Sequence, residues 1–537
     1  MPNRRPLVLS STLFGLGLAL AAAASCADFS GEADGQGLDA STAPADRDAG
    51  GDPDARVVGE GGTPDSCGMH ERATPGGCVC APGFANAGAG CVWSGILRDP
   101  EFVGDPADAW AIVGGALDGA DGGAVTFEGP GSVAQTIEVP TLAEAGGALA
   151  LRTQLVEFDI TRQFLAQQEL SFRGDSVHAL AWPTTGLSTC LGERLMGRAF
   201  TLQASGRNQT LINLTDSRWA IDRMHIAPDP TCPLPGQIPN GNFDGVGGWT
   251  TQNYPGTEYA FDPGTGVEAT TAARVRFFDS CVGALRNVVS VPDAPSALEY
   301  TVKAPTSNTP YLLTLGPQSE RRRASTLYEK RRSCIPRGLW GQAVPVAFHA
   351  ERTCTLPVEF FVDDVQVVAD AACESVPALG NASFDGAGIV DQWLVTQSSG
   401  QGFVQTSVRA GNQSLALTRS KLCDSVETSA AIDVPRPETG GLALRFLTEG
   451  PLANSRATVS VGTALHRTSL AIDGVSSEAP TARSLCLSPE SFGALVQVSL
   501  RHDHAGGDLD CSALAPTKVT FDDFTLVPDA ACPGETP

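Results

Sequence analysis

Histidine, methionine and tyrosine are scarce in this 537-residue chain, at 7, 4 and 5 residues, and aromatics make up only 6%. The histidines are scattered. His502-Asp503-His504 is their one cluster, and in a Gly- and Asp-rich segment it reads as solvated rather than as a metal site. Catalytic signatures are also missing: no Gly-x-Ser-x-Gly elbow, no HExxH, no phosphate-binding glycine loop and no CxxC. Positive charge is in deficit, 36 Lys and Arg against 60 Asp and Glu, for a net −24. That excludes nucleic acid and anionic membrane surfaces as partners, since both attract net positive faces. Long apolar runs are absent beyond the first 25 residues. These absences point to a protein that is not an enzyme.

What is present begins with an export signal. Arg4 and Arg5 precede an apolar run from Leu7 to Ala24, the length of a signal-peptide core and short for a membrane span. The run ends in Ala23-Ala24-Ser25 directly before Cys26. This resembles a lipobox, which implies cleavage after residue 25, lipidation of Cys26 and an outer-membrane anchor. Cleavage without lipidation would give a secreted protein instead. Residues 27–66 hold ten acids, two arginines and almost no large apolar side chain. Such a segment cannot offset its chain entropy by burial, so 26–66 reads as an extended acidic tether.

Fifteen cysteines are present, and removing Cys26 leaves fourteen, an even number that suits a disulfide framework in an exported chain. Four of them, Cys67, Cys78, Cys80 and Cys91, fall within 25 residues. Cys78-Val79-Cys80-Ala81-Pro82-Gly83-Phe84, closed by Cys91, resembles the C-terminal half of an EGF-like module. The resemblance implies Cys67–Cys78 and Cys80–Cys91 bridges over 67–91.

The rest of the chain repeats. Asp99-x-x-Phe102-x-Gly104, Asn240-x-x-Phe243-x-Gly245 and Asn381-x-x-Phe384-x-Gly386 share one pattern, with the phenylalanines 141 residues apart each time. Trp110, Trp249 and Trp393 follow within nine residues, and Cys91, Cys232 and Cys373 precede each Phe by 11. Val139-Pro140, Val291-Pro292 and Val434-Pro435 recur in order. So do Cys190, Cys334 and Cys486, each seven residues before a glycine. Asp222, Asp363 and Asp522 recur ten residues before Cys232, Cys373 and Cys532. Helix signals are weak, and short alternating runs dominate, so 92–232, 233–373 and 374–532 each read as a β-sandwich, with 533–537 as a tail.

The opening Asn-Gly-Asn-Phe-Asp-Gly with its tryptophan, and the closing Phe361-Val362-Asp363-Asp364-Val365, are similar to carbohydrate-binding modules of families 4 and 9. The resemblance implies an all-β chain of three tandem galactose-binding-like jelly rolls after a small disulfide-rich module. It also implies sugar binding and structural Ca2+ pairing Asp244 with Asp363 and Asp385 with Asp522. Repeat 1 departs from this pattern with Val103 and Arg223. Strand alternation places Phe361, Asp363, Val365 and Val367 on one apolar face. The aspartate there needs either a metal or backbone amides to cap.

Repeats 2 and 3 carry four cysteines each, repeat 1 only Cys190 and Cys232. Partners tend to be lost together, which gives Cys190–Cys232, Cys334–Cys373 and Cys486–Cys532 as one class, and Cys281–Cys354 and Cys423–Cys511 as the other. One basic run stands out: Arg321, Arg322, Arg323, Lys330, Arg331, Arg332 and Arg337, with Tyr328 among them. It reads as a dock for an anionic glycan, or as a solvated loop neutralising nearby acid. Trp182, Trp340, Tyr254, Tyr259 and Tyr311 are the aromatics left to read a sugar ring. The function expected is a surface lipoprotein binding envelope or extracellular polysaccharide. The alternative is a structural or adhesive stalk that contacts surface proteins without a sugar site.

Overall fold

The computed structural model describes residues 67–534 except 69, 88–89, 104–108, 119–123, 156–165, 173–174, 180–186, 209–217, 246, 253–254, 351–353, 381, 386–392, 400–402, 410–411, 422–423, 451–454, 463–466, 474–478 and 505–513. The export signal, Cys26, the tether, Trp182, Tyr254 and the Cys423–Cys511 pair lie outside the described residues. Among the described residues, no helix is long and apolar enough to cross a membrane.

Residues 67–94 form two hairpins, Glu71–Thr74 with Gly77–Cys80 and Phe84–Asn86 with Cys91–Trp93. Cys67–Cys78 and Cys80–Cys91 clamp them. The apolar content is one small stack, His70 on Phe84 at 4.2 Å with Trp93 edge-on. A module with so little core depends on its bridges.

Repeat 2 is a β-sandwich. Its first sheet runs in the order Thr250–Gln252, Ala284–Ser290, Ala343–His349, Thr309–Leu315, Gln318–Ala324. Its second runs Thr257–Pro263, Thr271–Phe277, Val358–Ala369, Ser296–Lys303, Glu329–Cys334. Period-two alternation turns one row of each strand inward, such as Leu298, Tyr300 and Val302 against Val346 and Phe348. Repeat 3 has the same strand order in both sheets, from Leu394–Ser399 to Arg467–Ile472 and from Phe403–Arg409 to Thr481–Cys486. The fold is therefore all-β and sandwiched, as expected.

Repeat 1 joins its layers into one eight-stranded sheet. The single strand Ala124–Glu138 replaces what repeat 2 builds as Thr271–Phe277 and Ala284–Ser290. Gly131 permits the passage, because a Cβ there would sit 2.2 Å from the Phe127 ring. Cys281 lies in the connection that repeat 1 lacks, which explains why repeat 1 has no counterpart to Cys281–Cys354.

The recurrent sequence pattern is one loop built three times. Phe102, Phe243 and Phe384 all take a left-handed φ, 50°, 58° and 57°. Phe102 N–H donates to Asp99 O, and Phe243 N–H to Asn240 O. The indoles of Trp110 and Trp249 donate to the same carbonyls. Phe and Trp rings then pack at 4.9–5.3 Å in each repeat. A left-handed φ on a bulky residue costs energy, and the buried ring pair offsets it.

Each repeat closes with a turn in which Asp229, Asp370 or Asp529 accepts a backbone N–H two residues on and lends its carbonyl to the next cysteine. That turn presents Cys232, Cys373 and Cys532 to Cys190, Cys334 and Cys486. Cys281–Cys354 completes the described set. All of these are pairs that the cysteine arithmetic names.

Candidate functional site

The closing strand corrects one expectation. Asp364 takes a left-handed φ of 50°, and the pairing slips between Glu299 and Thr301. This bulge resets the alternation. Phe360 and Val362 are the core residues before it, so Phe361 faces outward, while Asp363 and Val365 face in after it. Asp523 repeats the bulge in repeat 3, with a φ of 51°.

The inward aspartate is a cap in repeat 2. Asp363 Oδ2 accepts from Val267 N–H and the Thr270 hydroxyl, and Oδ1 from Asp364 N–H. Burial pushes its carboxyl up despite these donors. Asp244 accepts from Thr271 N–H and the Asn242 amide. Calcium needs six or more oxygens, and N–H donors fill the space they would take. The repeat 2 pair does not fit the ion. In repeat 3 the carboxyl of Asp522 is pushed up to about 6, by burial first and then by the charges of Asp523 and Asp385. Asp385 and Asp522 also accept backbone N–H groups, from Gln413 and Asp523, but two mutually repelling carboxylates suit a cation better, so calcium is a proposal for Asp385 and Asp522 alone. In repeat 1 the Asp222 side chain lies outside the description. His502 is fully buried, with Nδ1 against Leu417 O and Nε2 against Thr517, so its ring is spent on the core.

The basic run does not converge. It lies on two edge strands, one in each sheet, and alternation divides it. Arg321 and Arg323 pair across from Leu312 and Pro310, on the outer face of the first sheet. Arg322 and Arg331 pair across from the core residues Tyr311 and Tyr300, in the open side of the sandwich. There Arg322 is held by Glu320 and Ser333, and Arg331 by Glu329. The Tyr300 and Tyr311 hydroxyls meet behind them at 3.0 Å. Lys330 and Arg332 face outward on the second sheet and grip Glu299 at 2.8 and 2.7 Å. Lys330 and then Arg332 hold that carboxyl down at about 2. Arg337 lies apart, on a 3-10 turn, Arg337–Leu339.

The outer face of the second sheet gathers what the sequence leaves scattered. Phe361 lies at its centre. The Lys303 ammonium sits 5.2 Å from that ring and 4.3 Å from the Tyr328 ring, and both Lys303 and the Tyr328 hydroxyl donate to Thr265 O. To one side Arg274 pairs with Glu258 and Asp262 at 2.9 and 3.0 Å, and Arg276 reaches Glu258 and Glu359 at 3.4 and 3.6 Å. Beyond them Phe278 is 51% exposed, with the Arg276 guanidinium 5.9 Å from its ring. To the other side stands the Glu299 cluster. The face thus offers ring surfaces flanked by fixed donors and acceptors. Sequence reading turned Phe361 to the wrong face and passed over Phe278, Lys303, Arg274 and Arg276; strand alternation around the bulge was the signal. The aromatics it favoured lie elsewhere: Trp340 and Tyr311 are buried, and Tyr259 packs against the core.

No family model matches this chain, and no curated protein does. Among solved structures it is similar to the CBM22-1-CBM22-2 tandem domain from Paenibacillus barcinonensis Xyn10C, at 10% identity over 55% of this chain and 98% of that one, with a TM-score of 0.20. It is also similar to TmCBM61 in complex with beta-1,4-galactotriose, at 15% identity over 29% and 100%, with a TM-score of 0.22. A CBM4 structure matches at 16% identity over 28% and 99%, with a TM-score of 0.20. Likeness at this level carries no argument about ligands.

Proposed function

We propose that the chain is a surface lipoprotein that binds polysaccharide on the outer face of the second sheet of repeat 2, without catalysis. The observation that carries this reading is the row Tyr328, Phe361 and Phe278 on one open sheet face among ion-paired arginines and carboxylates. Sugars present flat apolar ring faces edged with hydroxyls. Aromatic planes take the former, and fixed guanidinium donors and carboxylate acceptors take the latter. Glu299 stays ionised throughout the physiological range and so keeps the exposed Lys330 and Arg332 fixed as donors.

The test is a glycan array probed with the purified chain and with Phe361→Thr, which installs the residue that repeat 3 has at Thr520. Binding should drop by roughly tenfold or more, the equivalent of about 1.4 kcal/mol, with the melting temperature unchanged. Equal binding by both proteins would refute the face. Anchoring is tested separately: labelled fatty acid should enter the wild-type chain and not Cys26→Ser. The stalk reading keeps one specific support, the close packing between repeats described next, and it would stand if no glycan bound.

A further inference from the structure

The three repeats meet at one point. Arg194, on the 3-10 turn Glu193–Leu195 of repeat 1, donates its N–H to Gly341 O and pairs with Asp293 at 3.7 Å, both in repeat 2. Its guanidinium also reaches Arg337 O in repeat 2 at 3.1 Å and Gly493 O in repeat 3 at 3.4 Å. The equivalent turn of repeat 2 docks on repeat 3, where Gly338 N–H donates to Asp433 at 2.9 Å. Gly338 is required there, because a Cβ would lie 2.6 Å from Leu495 N. Around this point is a cavity of about 900 Å3 with walls from all three repeats. Its volume and its place between domains are those of a small-molecule site.

We infer that this junction is a second ligand site, and that it takes an oligosaccharide bearing carboxylates. Four arginines line it: Arg194 and Arg198 from repeat 1, Arg337 from repeat 2 and Arg436 from repeat 3. Four acids line it too, but three are occupied. Asp293 is held by Arg194, Glu320 by Arg322, and Asp433 by the Gly338 amide. Arg198 and Arg337 are exposed and form no ion pair among the described residues. The four arginines balance the four acids of the lining, and Asp433 feels the charge of Arg337, but the Arg198 and Arg337 guanidiniums stand open to solvent at the cavity. Guanidinium forks match the geometry of a carboxylate. The half-buried Phe200 ring adds apolar wall for a sugar ring, which a bare oxyanion would not need. None of these residues belongs to the sheet face, so the two sites fail independently.

Calorimetric titration of the purified chain with an oligogalacturonate tests the site, with a neutral galacto-oligosaccharide of equal length and inorganic phosphate as comparators. The acidic oligomer should bind, and Arg198→Ala with Arg337→Ala should weaken it by roughly tenfold or more. Arg337→Glu should weaken it further, and Phe361→Thr should leave it unchanged. Both arginines are exposed, so melting temperatures should stay level in every variant. The site is refuted if the arginine variants bind as wild type does. It is equally refuted if the neutral oligomer binds as well, or if phosphate displaces the acidic oligomer at equal concentration.

Discussion

Repeats 2 and 3 share every strand and both sheet orders, yet they close the same gap with opposite chemistry. In repeat 2 the open side of the sandwich holds Tyr300, Tyr311, Glu320 and Arg322. Strand register aligns these with Phe446, Ala457, Leu470 and Ile472 of repeat 3, which are core residues or pack against the core. The outer face of the second sheet differs in the same sense. Repeat 2 places Arg274, Arg276, Glu359 and Phe361 where repeat 3 places Ala416, Thr418, Lys518 and Thr520. Repeat 3 keeps its buried polarity at another place, where Arg419 and His502 replace Phe277 and Ala350 and lie fully buried. The fold thus tolerates polar groups wherever partners exist, and function can be added to one copy without altering its topology.

The largest effect expected from this contrast is the pH dependence that His502 gives repeat 3. Burial, and next the charge of Arg419, push His502 down to about 4 from its ordinary 6.5. The folded state refuses a proton that the unfolded chain accepts below 6.5. Stability should therefore fall between pH 6.5 and 4, by on the order of 3 kcal/mol, and level off below. Urea titrations at pH 7, 5 and 4 should show it. His502→Ala, which installs the residue of repeat 2, should flatten the profile; a profile that keeps its slope would sink the assignment.

Next in size is the plug of repeat 2. Arg322→Ala leaves Glu320, whose side chain is only 13% exposed, with the Gln318 amide and the Ser333 hydroxyl but without Arg322, and should cost about 2 kcal/mol after allowance for partial solvent screening. Exchanging all four residues for the repeat 3 set should be neutral or stabilising. A quadruple variant less stable than Arg322→Ala would show that the two gaps are not equivalent.

The smallest effect belongs to Asp522. A carboxyl held above its ordinary value favours the protonated folded state, so Asp522→Asn should stabilise the chain modestly at pH 7 and not at pH 4. If repeat 3 holds calcium, millimolar calcium should raise the melting temperature of the wild type and not of this variant. Equal responses would end the calcium reading.

The repeat frame was legible because its markers are enforced by backbone geometry. A left-handed Phe held by a tryptophan, and a cysteine presented by an aspartate turn, leave little freedom in spacing. Surface chemistry was less legible. The basic run looks like one patch in sequence, but strand alternation sends it to three surfaces. The bulge at Asp364 inverts the faces on either side of it, and a one-residue slip is invisible to a count of alternating positions. The arginine junction was hidden for a different reason: Arg194 and Gly493 are 299 residues apart.

The bridges set a condition on how the protein is made. In repeat 1, Cys190 and Cys232 are consecutive cysteines, so an oxidant acting in order of emergence joins them correctly. In repeat 2 the bridges interleave: Cys281–Cys354 begins before Cys334–Cys373 and ends inside it. Pairing in order of emergence there would yield Cys281–Cys334. Repeat 2 must therefore either fold before it oxidises or pass through thiol–disulfide exchange, and a host lacking an isomerase should accumulate scrambled repeat 2 beside correctly bridged repeat 1.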